Sequence, residues 1–461
     1  MQLNNTSIAA TLGLLAANLV GAMPAGAQEA PVSEAASPGS TQPETGNAYD
    51  RPVSETGALV ADGSLLFYQE DNGRVRAIEP VMGLTYYADD GTIYSGKVTY
   101  DTLTGASANG ATRAAVQQRF IAPINETGTA GTSSEEPDSS TGASGTYYAE
   151  PGKLPVDTGF KDHREAIDLG MTTPIASTLK LSGGVSGSWE TDYTSYSVRA
   201  ALIKDFDRKN TTVSLGVNVE RDTSRPYYGV PEGTAGMGAS TIGTQRTKRV
   251  QSVIASVTQV MTPNWLISLN YTYGHSTGYH TDPYKLVSLI DGDTGDPFWY
   301  IYEKRPETRN KHSVFLASKV AFGSAVTTAS VRYYSDSWGI KSWTFALSER
   351  LPVGRSFFIQ PEVRYYHQTQ ADFFKHYLLL ADPTPAYVSA DSRLDRFSAV
   401  TFGLTAGAKV TDGLEFYAKA ERYQQSGSFR DSAAPGALAS YDLFGGVKAI
   451  SVMTGFKATF R

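Results

Sequence analysis

Residues 356–370, SFFIQPEVRYYHQTQ, alternate in character with a period of two. Phe357, Ile359, Pro361, Val363 and Tyr365 form an apolar set with an aromatic near each end. Phe358, Gln360, Glu362, Arg364, Tyr366 and Gln368 form a mostly polar set with both signs of charge. A strand sends alternate side chains to opposite faces, so this one has a greasy face and a wet face. In a soluble sandwich the greasy face would meet a second sheet. In an outer-membrane barrel it meets lipid, and the polar face lines the interior.

The rest of the chain favours the barrel. Strand patterns recur at 160–171, 178–188, 193–205, 211–221, 247–260, 264–275, 310–321, 326–335, 340–351, 357–369, 393–409, 413–424 and 447–460. Three earlier candidates, SLLFYQE, RVRAIEPVMGLTYY and TIYSGKVTYDTLT, are separated by Asn72-Gly73 and by Asp89-Asp90-Gly91. Such pairs mark turns. The connections alternate too. Short links (TPIAS, DFDRKN, MTPN, FGS, LPVGR, TDG) follow one strand, and long ones (222–246, 276–309, 370–392, 425–446) mostly follow the next. Short periplasmic turns opposite long external loops are a barrel signature. The expected fold is all-β: a transmembrane antiparallel up-and-down β-barrel of about 16 strands, or about 14 if the early candidates are not wall strands.

The N-terminus supplies a route to the membrane. Ile8 to Val20 is apolar and Ala25-Gly26-Ala27 fits a cleavage site, which predicts a signal peptide over 1–27. Its positive n-region is missing, since no Lys or Arg precedes Arg51. Residues 28–57, rich in Ala, Pro, Ser, Glu and Thr, predict a disordered linker. The barrel is then expected over 58–461, with a mobile Gly/Ser/Thr-rich loop around 105–158. A net charge of -6 lacks the basic footprint that nucleic acid requires. The absence of cysteine excludes disulfides, thiolate metal sites and Cys nucleophiles.

Alternation places Arg199, Glu220, Lys319, Arg332, Glu362, Arg364, Lys409, Glu415, Lys419, Glu421 and Lys457 on inward faces. Such a lining could bind or filter a polar solute, although polar interiors are the default for barrels. Its mixed signs give no ion preference. Asp291, Asp293 and Asp296 resemble the start of a calcium loop. Gly295 stands where that pattern wants Asp or Asn, and no acidic residue completes it, so a solvated loop tip is the stronger reading. No His pair has metal-ligand spacing and no nucleophile motif is present, so the chain does not read as an enzyme.

Several segments together carry a resemblance: YDTLTGASANGA (from Tyr100), GYHTDPYK (from Gly278), EKRPETRNKHS (from Glu303), VRYYSDSWGI (from Val331), PEVRYYHQTQADFF (from Pro361) and SADSRLDRF (from Ser389). Their order and wording resemble an uncharacterised family of bacterial outer-membrane barrels, the domain of unknown function 3570, from about Ser64 to the C-terminus. Ala108 departs from it, standing where the resemblance implies Pro. The resemblance implies an outer-membrane location and carries over no catalytic residue. It also implies a neighbourhood of small lipoproteins and flavin-transfer enzymes. The expected partners are outer-membrane lipid, the barrel assembly machinery and a lipoprotein. The expected function is a pore or binding channel for small polar solutes. The alternatives are a scaffold housing a lipoprotein or redox partner, and a membrane-embedded hydrolase.

Overall fold

The computed structural model describes residues 56–71, 74–123, 143–430 and 432–461. The expected signal peptide, the linker up to residue 55 and the Asn72-Gly73 turn lie outside the described residues.

Among the described residues, sixteen strands close into one barrel. They are β1 (Leu59–Glu70), β2 (Arg76–Tyr87), β3 (Ile93–Thr104), β6 (Lys161–Ala176), β7 (Leu179–Glu190), β8 (Tyr193–Phe206), β9 (Thr211–Ser224), β10 (Arg246–Thr262), β11 (Trp265–Gly278), β14 (Thr308–Phe322), β15 (Ala325–Asp336), β16 (Lys341–Val353), β17 (Phe357–Gln368), β19 (Phe397–Thr411), β20 (Leu414–Ser426) and β21 (Lys448–Phe460). Five short strands lie in the connections: β4 (Gln118–Ile121), β5 (Thr146–Ala149), β12 (Leu286–Ile290), β13 (Pro297–Tyr302) and β18 (Leu378–Leu379). The three early candidates are wall strands, so the count of 14 does not hold. Closure comes from β1 against β21, antiparallel from Leu59↔Phe460 to Glu70↔Ala449. No wall edge is left unpaired, which is what a hydrocarbon solvent demands of a backbone.

The two faces differ as the period of two requires. On β17, Phe357, Ile359, Pro361, Val363 and Tyr365 are exposed, while Phe358, Gln360, Tyr366 and Gln368 are buried. Around the ring Leu65, Leu84, Leu215, Leu269, Phe345 and Phe402 are all exposed. A continuous apolar belt of this kind is untenable in water, and it identifies a membrane barrel of the outer-membrane type.

The connections sort to two ends. At one end lie tight turns, such as those at 207–210, 263–264, 323–324 and 412–413, together with Leu59 and Phe460. At the other lie 105–160, 225–245, 279–307, 369–396 and 427–447, with shorter links at 71–75, 191–192 and 337–340. In their described residues the long connections are folded against one another. The stretch expected as a mobile loop around 105–158 contains the β4–β5 hairpin, and its described residues are folded. Its Ala111, Phe120 and Ala149 pack with Met237 from the second long connection and with Leu286, Tyr300 and Tyr302 from the third. Strands β13, β12 and β18 form a small sheet joining the third and fourth. Ile290, Ala434, Leu438 and Leu443 tie in the fifth. Residues 124–142, most of the Gly/Ser/Thr-rich stretch behind the expectation of a mobile loop, lie outside the described residues. The flanking apolar residues are too widely spaced to form a core within one loop and find that core by meeting other loops.

Candidate functional site

The site has two parts, the lumen wall and the cap of loops above it. On the wall, the alternation that exposes Val198 and Leu202 turns Arg199 inward. Its guanidinium reaches the Asp168 carboxylate in two bonds of 2.6 and 2.7 Å. To get there it crosses Gly184, its register partner on β7, where a Cβ would lie 2.6 Å from the Arg199 Cζ. The same device recurs. Phe358 lies flat on Gly407, and Arg350 stacks on that ring at 3.4 Å from its centroid while its Nη2 approaches the Glu415 Oε1 at 3.2 Å. Tyr417 covers Gly455 in the same way. Glycine at these positions lets long side chains lie along the wall instead of crossing the lumen.

The other inward candidates are placed as follows. Glu362 and Glu421 flank Gly403 in one register row, and Lys419 bridges them at 3.1 and 2.9 Å. Arg332 lies over the Phe315 ring at 5.1 Å, and Arg364 is half-buried one pleat below Tyr366. Lys457 is the register partner of both Asp62 and Glu415. Lys409 lies 3.8 Å from Asp412 in a turn at the opposite end from the cap. Glu220 is buried, and Lys319 is half-buried on the inward face of β14.

The ring shows a pattern that the strand-by-strand reading missed. Across β14–β17 the inward positions carry Arg309, Lys311, Lys319, Arg332, Arg350 and Arg364 against Asp336 and Glu362. Across β2, β3 and β6–β9 they carry Glu79, Asp101, Asp162, Asp168, Glu190, Asp205, Glu220 and Asp222 against Lys97, Arg164, Lys180 and Arg199. The mixed lining is therefore sorted by side.

The cap holds a buried ionic hub. Arg305 Nη2 bonds Asp391 at 2.7 Å, and its Nε lies 2.7 Å from Glu303 Oε1. Arg393 bonds Asp391 and reaches Asp282 at 2.7 Å. The Lys285 ammonium donates to Ser107 Oγ and to the Ala108 carbonyl, both at 2.6 Å. Ser389 donates to Glu303, and Gln368 Nε2 donates to the carbonyls of Arg393 and Asp395. Burial pushes Glu303 up against the pull of Arg305, and it pushes Lys285 down. Burial also opposes ionisation of Asp391, but Arg393, Lys285 and Arg305 outweigh it and hold that carboxyl below its ordinary value. Burial brings His376 down to about 4, so at neutral pH its 3.6 Å approach to Asp395 is not an ion pair.

All six segments that carry the resemblance contribute to this region. Ser107 and Ala108 come from the first, Asp282 and Lys285 from the second, Glu303 and Arg305 from the third. The fourth adds Trp338, buried under the Arg309 guanidinium at 4.1 Å, with Arg309 paired to Asp336. Gln368 comes from the fifth and Asp391 from the sixth. None of these is among the site residues expected from the sequence. The available clue was a set of charged, mixed-sign blocks inside connections that otherwise read as inert.

Asp291, Asp293 and Asp296 lie in a turn between β12 and β13. Asp291 Oδ1 accepts the backbone N–H groups of Asp293 and Thr294 at 2.9 and 2.8 Å, which shapes the turn that Gly295 completes at φ +72°. Asp291 thus serves its own backbone, which holds its carboxyl below the ordinary range. Among the described residues, the acidic trio whose oxygens converge within 4.8 Å is Asp162, Glu190 and Asp192 at the cap end. There Tyr284 donates to Asp192 at 2.6 Å, and burial pushes Asp192 up to about 6.

A family profile described as "Protein of unknown function (DUF3570)" matches residues 27–458, and the chain belongs to that family. No curated protein matches the chain. Among solved structures it is similar to a bacterial polysaccharide outer membrane secretin, at 10% identity and a TM-score of 0.43 over 89% of this chain and 100% of that one. It is also similar to a mutant ferric enterobactin receptor from Pseudomonas aeruginosa, at 10% identity and a TM-score of 0.39 over 80% of this chain. The siderophore receptor PirA from Acinetobacter baumannii gives 12% identity and 0.38 over 79%. The chain spans 53% of the length of each of these two receptors.

Proposed function

We propose that this barrel is a passage for small polar solutes across the outer membrane, wetted from the turn end and gated at the other end by the folded cap. The observation that carries this reading is the flat-lying wall: Arg199 over Gly184, Phe358 over Gly407 and Tyr417 over Gly455 keep long side chains out of the lumen. A closed wall of sixteen strands is wide enough to leave an aqueous channel when its interior is not filled. Lys97 faces inward and is exposed, consistent with water against the wall below the cap. No chemical step enters this reading. Export through a signal peptide over 1–27 and a turn end facing the periplasm belong to the same proposal.

Purified protein in a planar bilayer is expected to conduct in discrete steps. Glu362→Gln should move the reversal potential toward anion preference, and Arg364→Gln toward cation preference, because both charges face the confined lumen. A silent wild type that co-purifies with a stoichiometric partner would replace the channel with the scaffold.

Orientation has its own test. Thr244 is exposed in the second long connection, and Asp412 sits in a turn at the opposite end. An epitope inserted after Thr244 should be labelled on intact cells, and one after Asp412 should not. The reverse labelling would invert the topology.

A further inference from the structure

The two charged arcs face each other across the lumen. In ring order, β2, β3 and β6–β9 are followed by β10 and β11, then by β14–β17, and β19, β20, β21 and β1 complete the circle. The basic arc therefore stands almost diametrically opposite the acidic one. Both arcs reach the same middle height. Counted from the turn end, Arg332 and Arg364 are the eighth residues of β15 and β17, Glu79 and Asp101 are the ninth of β2 and β3, and Asp168 is at the midpoint of β6. Of the strands between the arcs, β10 turns Arg246 and Lys248 inward at the cap end, where Lys248 pairs with Asp222 at 3.1 Å, and β11 carries no inward Asp, Glu, Lys or Arg. The strands on the other side mix the two signs. Lys419 lies between Glu362 and Glu421, and Lys457 is opposite Asp62 and Glu415. Pairing on the acidic side is incomplete in formal charge: Arg164 is shared by Asp101 and Glu79, while Asp168 has Arg199.

Walls of opposite sign set up a field across the bore, not along it. In a narrow space with low-dielectric walls, such a field is focused and weakly screened. A single ion gains at one wall what it loses at the other. A molecule with positive and negative ends gains at both when it lies across the bore. We infer that the lumen favours dipolar solutes, small molecules bearing an ammonium and a carboxylate, over uncharged molecules of equal size. The ammonium end turns toward β2–β9 and the carboxylate toward Arg332 and Arg364. This inference rests on the channel reading and names its solute class.

The test uses two isomers of equal composition, zwitterionic alanine and neutral lactamide. Entry of each into vesicles containing the full-length barrel is followed by osmotic swelling, after subtraction of protein-free vesicles. Alanine should enter faster by about threefold or more, as expected for charges interacting across a confined, partly dehydrated space. The Arg332→Gln, Arg364→Gln double variant should bring the ratio toward unity. Circular dichroism and heat-modifiable migration would check that it still forms a barrel, and a variant that does not would be replaced by Arg332→Gln alone. Equal entry of both isomers into wild-type vesicles overturns the inference and leaves the channel standing. A ratio unchanged in the variants overturns the assignment to the charged walls. Entry of neither isomer overturns the channel, and the inference with it.

Discussion

Arg305→Met should open the cap while the wall stands. Arg305 and its carboxylate partners Glu303 and Asp391 are each 2% exposed or less. Removing the guanidinium strands the Glu303 carboxylate out of reach of bulk water, while Asp391 keeps Arg393. Breaking a buried pair from one side costs about 3–5 kcal/mol, most of it the penalty of the stranded charge. The loss is local, because the hub fastens connections to one another and not strand to strand. Backbone bonds between Lys304 and Val388 run both ways at 2.9 Å, and Leu286 donates to Asn109 at 2.7 Å. These are the contacts that go when the hub fails. Hydrogen exchange should read the change as acceleration of β12 and β13 amides by about two to three and a half orders of magnitude, at tenfold per 1.4 kcal/mol. Amides of β16 and β17 should keep wild-type protection. A Glu303→Gln, Arg305→Met double variant should recover part of the loss, since it strands less charge. Uniform acceleration across wall and cap would show that the hub is not a separate fastening. If the channel reading holds, the same variant should spend more time open in a bilayer.

The wall was legible in the sequence because its rule is local. Val213, Leu215, Val217 and Val219 alternate with Thr212, Ser214, Gly216 and Asn218, and one strand suffices to assign its own faces. The rhythm of short and long links then set the up-and-down order. The cap was not legible for the opposite reason. VSLI at 287–290 and FWYIY at 298–302 are apolar enough to be strands, yet the wall needed only one connection between 276 and 309. Their partners, Ala111, Phe120, Val388 and Met237, come from other connections, and no periodicity links residues so far apart. The sorting of charge was hidden in the same way. Glu220 and Arg332 could each be placed on an inner face, but which arcs oppose each other is decided only by ring closure. Asp291 shows the limit of motif spacing. Its alternating carboxylates match the start of a metal loop, and in space the first of them also accepts the backbone N–H groups that shape its own turn, which spacing does not show.

Val363→Arg should destabilise the folded barrel in lipid by about 2–4 kcal/mol, the cost of a guanidinium placed near the bilayer midplane. Val363 lies in the middle of β17, is 38% exposed and is flanked in register by Leu347 and Phe402 on the same outer face. The nearest carboxylate on that face is Glu349, two residues along β16 from Leu347 toward the turn end, so Glu349→Gln is carried in the background of both variants. The inward control is Ser451→Arg on β21, in the register row of Glu362, Gly403 and Glu421, where Ser451 Oγ already donates to Glu421 Oε2 at 3.1 Å. There the new charge meets a carboxylate and, under the channel reading, water, so it should cost far less. Both variants add the same side chain to wall strands of the same barrel, one on the outer face and one on the inner face. The difference is read from urea unfolding midpoints in lipid vesicles, followed by tryptophan fluorescence. Equal midpoints for the two variants would mean that the exposed apolar belt does not meet hydrocarbon. That result would also count against the passage proposed through the middle of the ring, because a barrel outside the membrane has no two sides to connect.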